Sequence, residues 1–309
     1  MPHLPARRPL LAGASAVLLL CLAPVGVAQA SPAGAADPAA GAAAAGAATQ
    51  CARPWPLESS NFSAGARIDN RFLPMRPGTR MTYQGTTVND AGKRVRHSVV
   101  FTVTDLVKKV DGVTSRVIYD VDVTGGQVVE AELAFFAQDD RGTVWNLGEY
   151  PEEYENGTFT GAPSTWISGQ KGAVGGIHML AYPALPQNRN LEYLQGRAPA
   201  IDFLDCARVA RVGGVTQVPA GRFTNVLTTY ERSPLESTTA IQTKEHAPGV
   251  GIVRIGALND PEGEDLALTE ITTLTAAQQA HVDKQVRALD RRGYRVSDVY
   301  ASTGPLHRG

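Results

Sequence analysis

The sequence is poor in the residues that usually announce a mechanism. Its 309 residues include only 3 cysteines, which excludes a small scaffold held mainly by disulfides. Aromatic residues make up only 6% of the chain, and no sugar-binding aromatic platform surrounds its carboxylates. The formal net charge of −1 leaves no basic excess to neutralise phosphates, which excludes a nucleic-acid binder. H-x-H and H-E-x-x-H pairs are missing, and so are the phosphate-cradling glycine loops in a βα context and the G-x-S-x-G elbow. Zinc peptidases, nucleotide enzymes and α/β-hydrolases therefore have no foothold. Beyond residue 23 no apolar run approaches the roughly 20 residues that a membrane helix needs.

What is present begins with an address. Arg7 and Arg8 precede an apolar run from Leu10 to Ala23, broken by Pro24 and Gly26 and followed by Ala28-Gln29-Ala30. This predicts a signal peptide over 1–30, cleaved before Ser31, and a secreted or extracytoplasmic protein. Leu20 before Cys21 does not fit a lipoprotein anchor. Residues 31–50 are almost wholly Ala, Gly and Pro. They offer no large side chains to offset ordering entropy, and read as a disordered linker. The β-rich domain is expected over 51–300. Export places Cys51 and Cys206 in an oxidising compartment, where they can pair as a disulfide. The alternative is a buried Cys206 beside a free Cys51.

From residue 79 to residue 274 apolar and polar residues alternate with period two. Val113, Val117, Tyr119, Val121 and Val123 fall on one side of a strand, against Thr114, Arg116, Asp120 and Asp122. Short turns, such as Asp111-Gly112 and Gly125-Gly126, imply antiparallel meanders. Later strands are expected at 208–212, 223–231, 239–245, 252–258 and 265–274. Tyr150–Pro199, rich in Gly and Pro, reads as a long irregular excursion with short strands, a candidate lid or binding loop. Thr275 and Gln278 predict a capping box on a C-terminal helix of about 276–292, stopped at Gly293. An edge strand at Tyr294–Tyr300 and a frayed tail follow. The expected fold class is mainly β: one large curved antiparallel sheet or half-barrel, the excursion, and one C-terminal helix.

Two segments carry a resemblance. Gln138-Asp139, Gly142, Val144-Trp145 and Gly148-Glu149, followed by Ala247-Pro248-Gly249-Val250-Gly251 and Val253, resemble a group of exported bacterial proteins of unassigned function. The second segment, with Arg76–Tyr83, is also similar to the curved sheets of LolA-like half-barrels. That resemblance implies a concave face holding a lipid or a partner protein.

The candidate chemistry is sparse. Asp139, Asp140, Glu149, Glu152 and Glu153 form the densest acidic run, the place where a calcium ion would bind if any cofactor does, although EF-hand spacing is absent. Solvated loop charge is the commoner outcome of such a run. His178, in Gly175-Gly176-Ile177-His178, could meet Asp202 or Asp205 as a catalytic base, against the bland reading of a structural histidine. His246, before Pro248-Gly249, reads as an exposed turn residue. Trp145, Tyr150, Trp166 and His178 are the ligand-binding candidates. The leading functional expectation is an exported, non-catalytic binding protein for an apolar or amphipathic ligand or a cell-envelope partner. The alternatives are a secreted hydrolase using His178 or the Glu149–Glu155 carboxylates, and a calcium-stabilised surface module.

Overall fold

The computed structural model describes residues 51–53, 55–186, 192–235 and 239–309. The expected signal peptide and linker lie outside the described residues. Alternating β-branched residues with Gly-containing turns drive a first meander. It runs through β2 (Thr79–Val88), β3 (Arg94–Val110), β4 (Val113–Thr124), β5 (Gln127–Gln138) and β6 (Val144–Glu155). Short strands β7 (Thr158–Gly161) and β8 (Trp166–Ile167) lean on β6, while β1 (Cys51–Ala52) pairs in parallel with β10 (Glu192–Ala198). Between them β9 (Val174–Met179) pairs with β6 on one side and β10 on the other. After β11 (Phe203–Arg211), β12 (Val215–Val218) and β13 (Gly221–Thr224) make a separate hairpin. A second meander follows through β14 (Leu227–Arg232), β15 (Ile241–Ala247), β16 (Gly251–Leu258) and β17 (Asp265–Thr273). Because β17 pairs with β2 and β9 bridges β6 to β10, the wall closes into a 12-strand antiparallel barrel.

The half-barrel expectation is therefore corrected, and β9 is the reason. Glycine is a poor strand former, so Val174-Gly175-Gly176-Ile177 reads as loop in the sequence. In the structure Gly176 is required, since a Cβ there would overlap the backbone of Gln195 on β10. The excursion supplies closing strands, not a lid. The predicted 223–231 strand is likewise split, with Asn225 in the left-handed region at φ 56° between β13 and β14.

Two apolar clusters hold the barrel. Inside, Met81, Tyr83, Val99, Phe101, Ile118 and Leu268 pack against Phe72, Leu73 and Met75, a segment that plugs one end. Gln138 Oε1 accepts from the amides of Asp69 and Asn70, and Asn70 Nδ2 donates to the carbonyls of Gly142 and Leu180. The resemblance motif thus fastens this plug. Outside, Val117, Phe135, Leu147 and Tyr150 meet Val282, Val286 and Leu289 of the C-terminal helix. Each such buried side chain contributes about 1.5–3 kcal/mol.

That helix starts as expected, with Thr275 and Gln278 in a reciprocal capping box, but runs on to Val296. Gly293 does not stop it. Its missing side chain lets the Tyr300 ring approach, where a Cβ would lie 2.6 Å from the ring. The predicted edge strand at 294–300 is instead the helix end plus a short helix Asp298–Ala301, and the tail is tied down by β18 (His307–Arg308) pairing with β3. Lys108 is buried between wall and helix, donating to Asp290 at 2.8 Å and to the Tyr294 hydroxyl at 3.0 Å.

Candidate functional site: an acidic lumen and an outer groove

Cross-strand register decides what faces inward. Asp120 stands opposite Phe101 and Glu132, and Phe101 stands opposite Met81. The carboxylates of β4 and β5 therefore share the lumen with the inner apolar cluster, while Val113, Val117 and Tyr119 point outward. The lumen collects Asp120, Asp122, Glu130, Glu132 and Glu149 from one wall and Glu231, Lys244 and His246 from the other. His97, His178 and Glu264 join them, and all eleven are buried.

Some of these groups are well partnered. His97 lies 3.2 Å from Asp122 and 3.0 Å from Glu264, whose other oxygen accepts from Gln242 at 3.0 Å. Lys244 pairs with Glu231 at 2.6 Å. Glu149 accepts from Asn146 at 2.6 Å and from the Trp166 indole at 3.0 Å. Others are not: both oxygens of Asp120, Oδ2 of Asp122, Oε1 of Glu132 and both ring nitrogens of His178 lack a hydrogen-bond partner. The Val121 amide eases the charge on Asp120 without reaching hydrogen-bond geometry.

Burial sets the protonation of the lumen, because taking a carboxylate from water favours its neutral form. Desolvation pushes Asp120 up to about 8 and Glu149 up to about 7, and holds Asp122, Glu130 and Glu132 well above the ordinary range. Neighbouring carboxylates add to the rise of the last three. Desolvation works the other way on imidazoles, pulling His178 well down and His246 to about 3. His246 is thus a lumen residue, 1% exposed, and not an exposed turn residue.

The sequence candidates fall in separate places. Trp145 is buried in the outer cluster and donates its indole N–H to Asp139, which also accepts from the Arg141 and Thr143 amides in the β5–β6 turn. Asp140 is exposed and holds Ser63. Tyr150 and Tyr154 donate to Glu152, which pairs with Arg292 of the helix at 3.1 Å. Glu153 is half-buried and accepts from Ser164 at 3.4 Å. Glu149 and Glu152 therefore serve opposite faces of β6. Asp202 is exposed on a left-handed turn at φ 52° and Asp205 is buried on β11, while His178 sits against Phe136 in the lumen. Cys51 and Cys206 form a disulfide with Cα atoms 5.7 Å apart. Among the described residues no three His, Cys, Asp or Glu side chains are arranged to hold a metal ion.

A second feature lies on the outer surface. Trp166, Ala173, Ala198, Ile201, Val296 and Val299 line a groove of about 270 Å³, with Lys171 and Asp298 paired at 2.5 Å on its rim. Inside the barrel, by contrast, the hollow beside Leu73, Tyr83 and Phe101 measures only about 10 Å³.

Sequence reasoning missed most of the lumen: His97, Asp120, Asp122, Glu130, Glu132, Lys244 and Glu264. Spacing alone hides the pairing: a regular hairpin about Gly125-Gly126 would set Asp120 and Asp122 against Ala131 and Val129, and only the register shift between Asp122 and Val123 sets acid against acid.

No protein-family model matches the chain, and no curated protein matches it. Among solved structures, the chain is similar to one described as an exported protein with a YmcC-like fold from Bacteroides fragilis NCTC 9343. Identity is 14% and the TM-score 0.35, over 66% of this chain and 99% of that one. It is similar to the same degree, 14% and 0.35, to one described as a lipoprotein from Parabacteroides distasonis ATCC 8503, over 67% of this chain and 100% of that one. A likeness of this extent assigns neither fold nor function. No helix among the described residues is long and apolar enough to cross a membrane.

Proposed function

We propose that this chain is an exported, non-catalytic binding protein whose ligand, a small amphipathic molecule, occupies the outer groove at Trp166. The observation that carries this reading is the groove of about 270 Å³, in which Trp166, Ile201, Val296 and Val299 meet the polar side chains of Thr165, Gln170 and Ser297 and the Lys171–Asp298 pair. Its size sits near the lower end of the ~300–1,000 Å³ usual for small-molecule sites, which combine apolar lining with a few polar groups. Export is supported by the N-terminal charge and apolar pattern together with the Cys51–Cys206 disulfide, a bond that persists in oxidising compartments. The hydrolase alternative gains less support: His178 is buried in the lumen, whereas Asp202 is exposed. The calcium alternative has its carboxylates divided between turn, lumen and helix contact.

Native mass spectrometry of the purified chain tests the reading. A co-purifying small molecule is expected, lost in Ala200→Trp, which places an indole in the groove from an exposed position. A ligand-free mass for the wild type, with nothing recovered by organic extraction, contradicts it.

A further inference from the structure

Four carboxyl side chains form a two-by-two tile on the lumen face of β4 and β5. Register sets Asp120 directly opposite Glu132, and Asp122 directly opposite Glu130. Direct partners in an antiparallel pair have Cβ atoms about 4.5–5.5 Å apart, where like charges repel. Exposure is 5% for Asp120, 3% for Asp122, 6% for Glu130 and 1% for Glu132, so water does not screen them.

The tile is short of hydrogen-bond partners. Oδ1 of Asp122 is served by His97 and Thr124. That leaves both oxygens of Asp120, Oδ2 of Asp122 and Oε1 of Glu132 buried with no hydrogen-bond partner. Buried polar atoms in native proteins are nearly always paired, and those that are not point to a missing water or ion. Across the lumen, Lys244 is engaged with Glu231.

The geometry also selects the kind of donor. A hard metal ion gathers six to eight oxygens at about 2.3–2.6 Å, and no such convergence exists among the described residues. An ammonium group needs less, since its three N–H donors reach separate oxygens at about 2.7–2.9 Å. We propose that the tile formed by Asp120, Asp122, Glu130 and Glu132 is a binding site for the primary ammonium group of a small protonated amine. Binding exchanges carboxyl protons for N–H donors, so the protein releases protons as the amine enters. This site is independent of the outer groove.

The test titrates the full chain with methylammonium chloride, after incubation and after refolding in its presence. Tetramethylammonium chloride and calcium chloride at matched ionic strength serve as controls. The expected result is a raised Tm and proton release with methylammonium alone, with the apparent affinity reduced at least tenfold in Asp120→Asn. Glu132→Gln gives the same reading if the first variant fails to fold. An equal response in wild type and variant, an equal response to tetramethylammonium, a response to calcium alone, or no response after refolding would each overturn the proposal.

Discussion

Trp166 donates its indole N–H to Glu149 across 3.0 Å, and through this one bond the outer groove touches the acidic lumen. The indole ring packs with Phe203 at 5.2 Å between centroids, and Glu149 answers to Lys244 across the barrel. Both side chains are 1% exposed.

Replacing Trp166 with Phe removes that donor and leaves Glu149 with Asn146 alone. A buried acceptor that loses a donor costs about 1–3 kcal/mol. Urea unfolding of the variant should show a lower midpoint with an unchanged m-value. The Glu149 carboxyl should also titrate above its wild-type midpoint of about 7, because the indole bond holds that value down.

The lumen makes stability fall as pH rises. Asp120, Asp122, Glu130, Glu132 and Glu149 have folded-state pKa values raised above their unfolded values, so the folded state holds more protons. Their contribution is full below the unfolded carboxylate range and is lost as pH climbs through the folded values, about 7 for Glu149 and about 8 for Asp120. His178 and His246, both lowered, act in the opposite sense, and only below about pH 6.5, the ordinary imidazole value. The decline should therefore steepen between about pH 6.5 and pH 8. Chemical denaturation at fixed ionic strength across that window checks the sign, and a stability that rises toward pH 8 would contradict it.

Much of the wall was legible in the sequence, because period-two alternation and glycine turns are local signals. The capping box of Thr275 and Gln278 was legible for the same reason. What alternation cannot give is the choice of inside. In β4 both faces are buried, the valines beneath the helix and the aspartates in the lumen, so polarity did not mark the solvent side. Closure was hidden too, because Gly176 is small for the sake of the β10 backbone and Gly175 for the sake of the Asn146 carbonyl on β6, contacts distant in sequence. His246 looked like a turn residue beside Pro248-Gly249, and only the register of β15 against β14 turns it inward.

Lys108 is expected to be costly to remove. Its ammonium is fully buried, bonds Asp290 and lies 4.5 Å from the Tyr300 ring centroid. Lys108→Met keeps the apolar stem but leaves Asp290 with the Tyr300 hydroxyl, an uncompensated buried charge of the kind that costs about 3–5 kcal/mol. A thermal melt should show a large loss of Tm, and a melt within a degree of wild type would place the helix elsewhere.

Gly293→Ala should destabilise even though alanine is the better helix former by about 1 kcal/mol. The added methyl would meet the Tyr300 ring at 2.6 Å. If the variant melts higher than wild type, Tyr300 does not pack across the helix there.

Reduction of Cys51–Cys206 should lower stability by about 2–5 kcal/mol, since the bond closes a loop of 155 residues. Melts with and without reductant measure this, and coincident curves would contradict it.

β9 seals the barrel between β6 and β10 and keeps its carboxyls out of water. Site-resolved NMR titration of the Asp and Glu side-chain carboxyl carbons reads that seal at each acid. Midpoints near 8 for Asp120 and near 7 for Glu149 are the predicted result. Midpoints near 4 for both, the ordinary range for solvated carboxylates, would mean an open sheet with its acids in solvent, and would contradict the closed lumen.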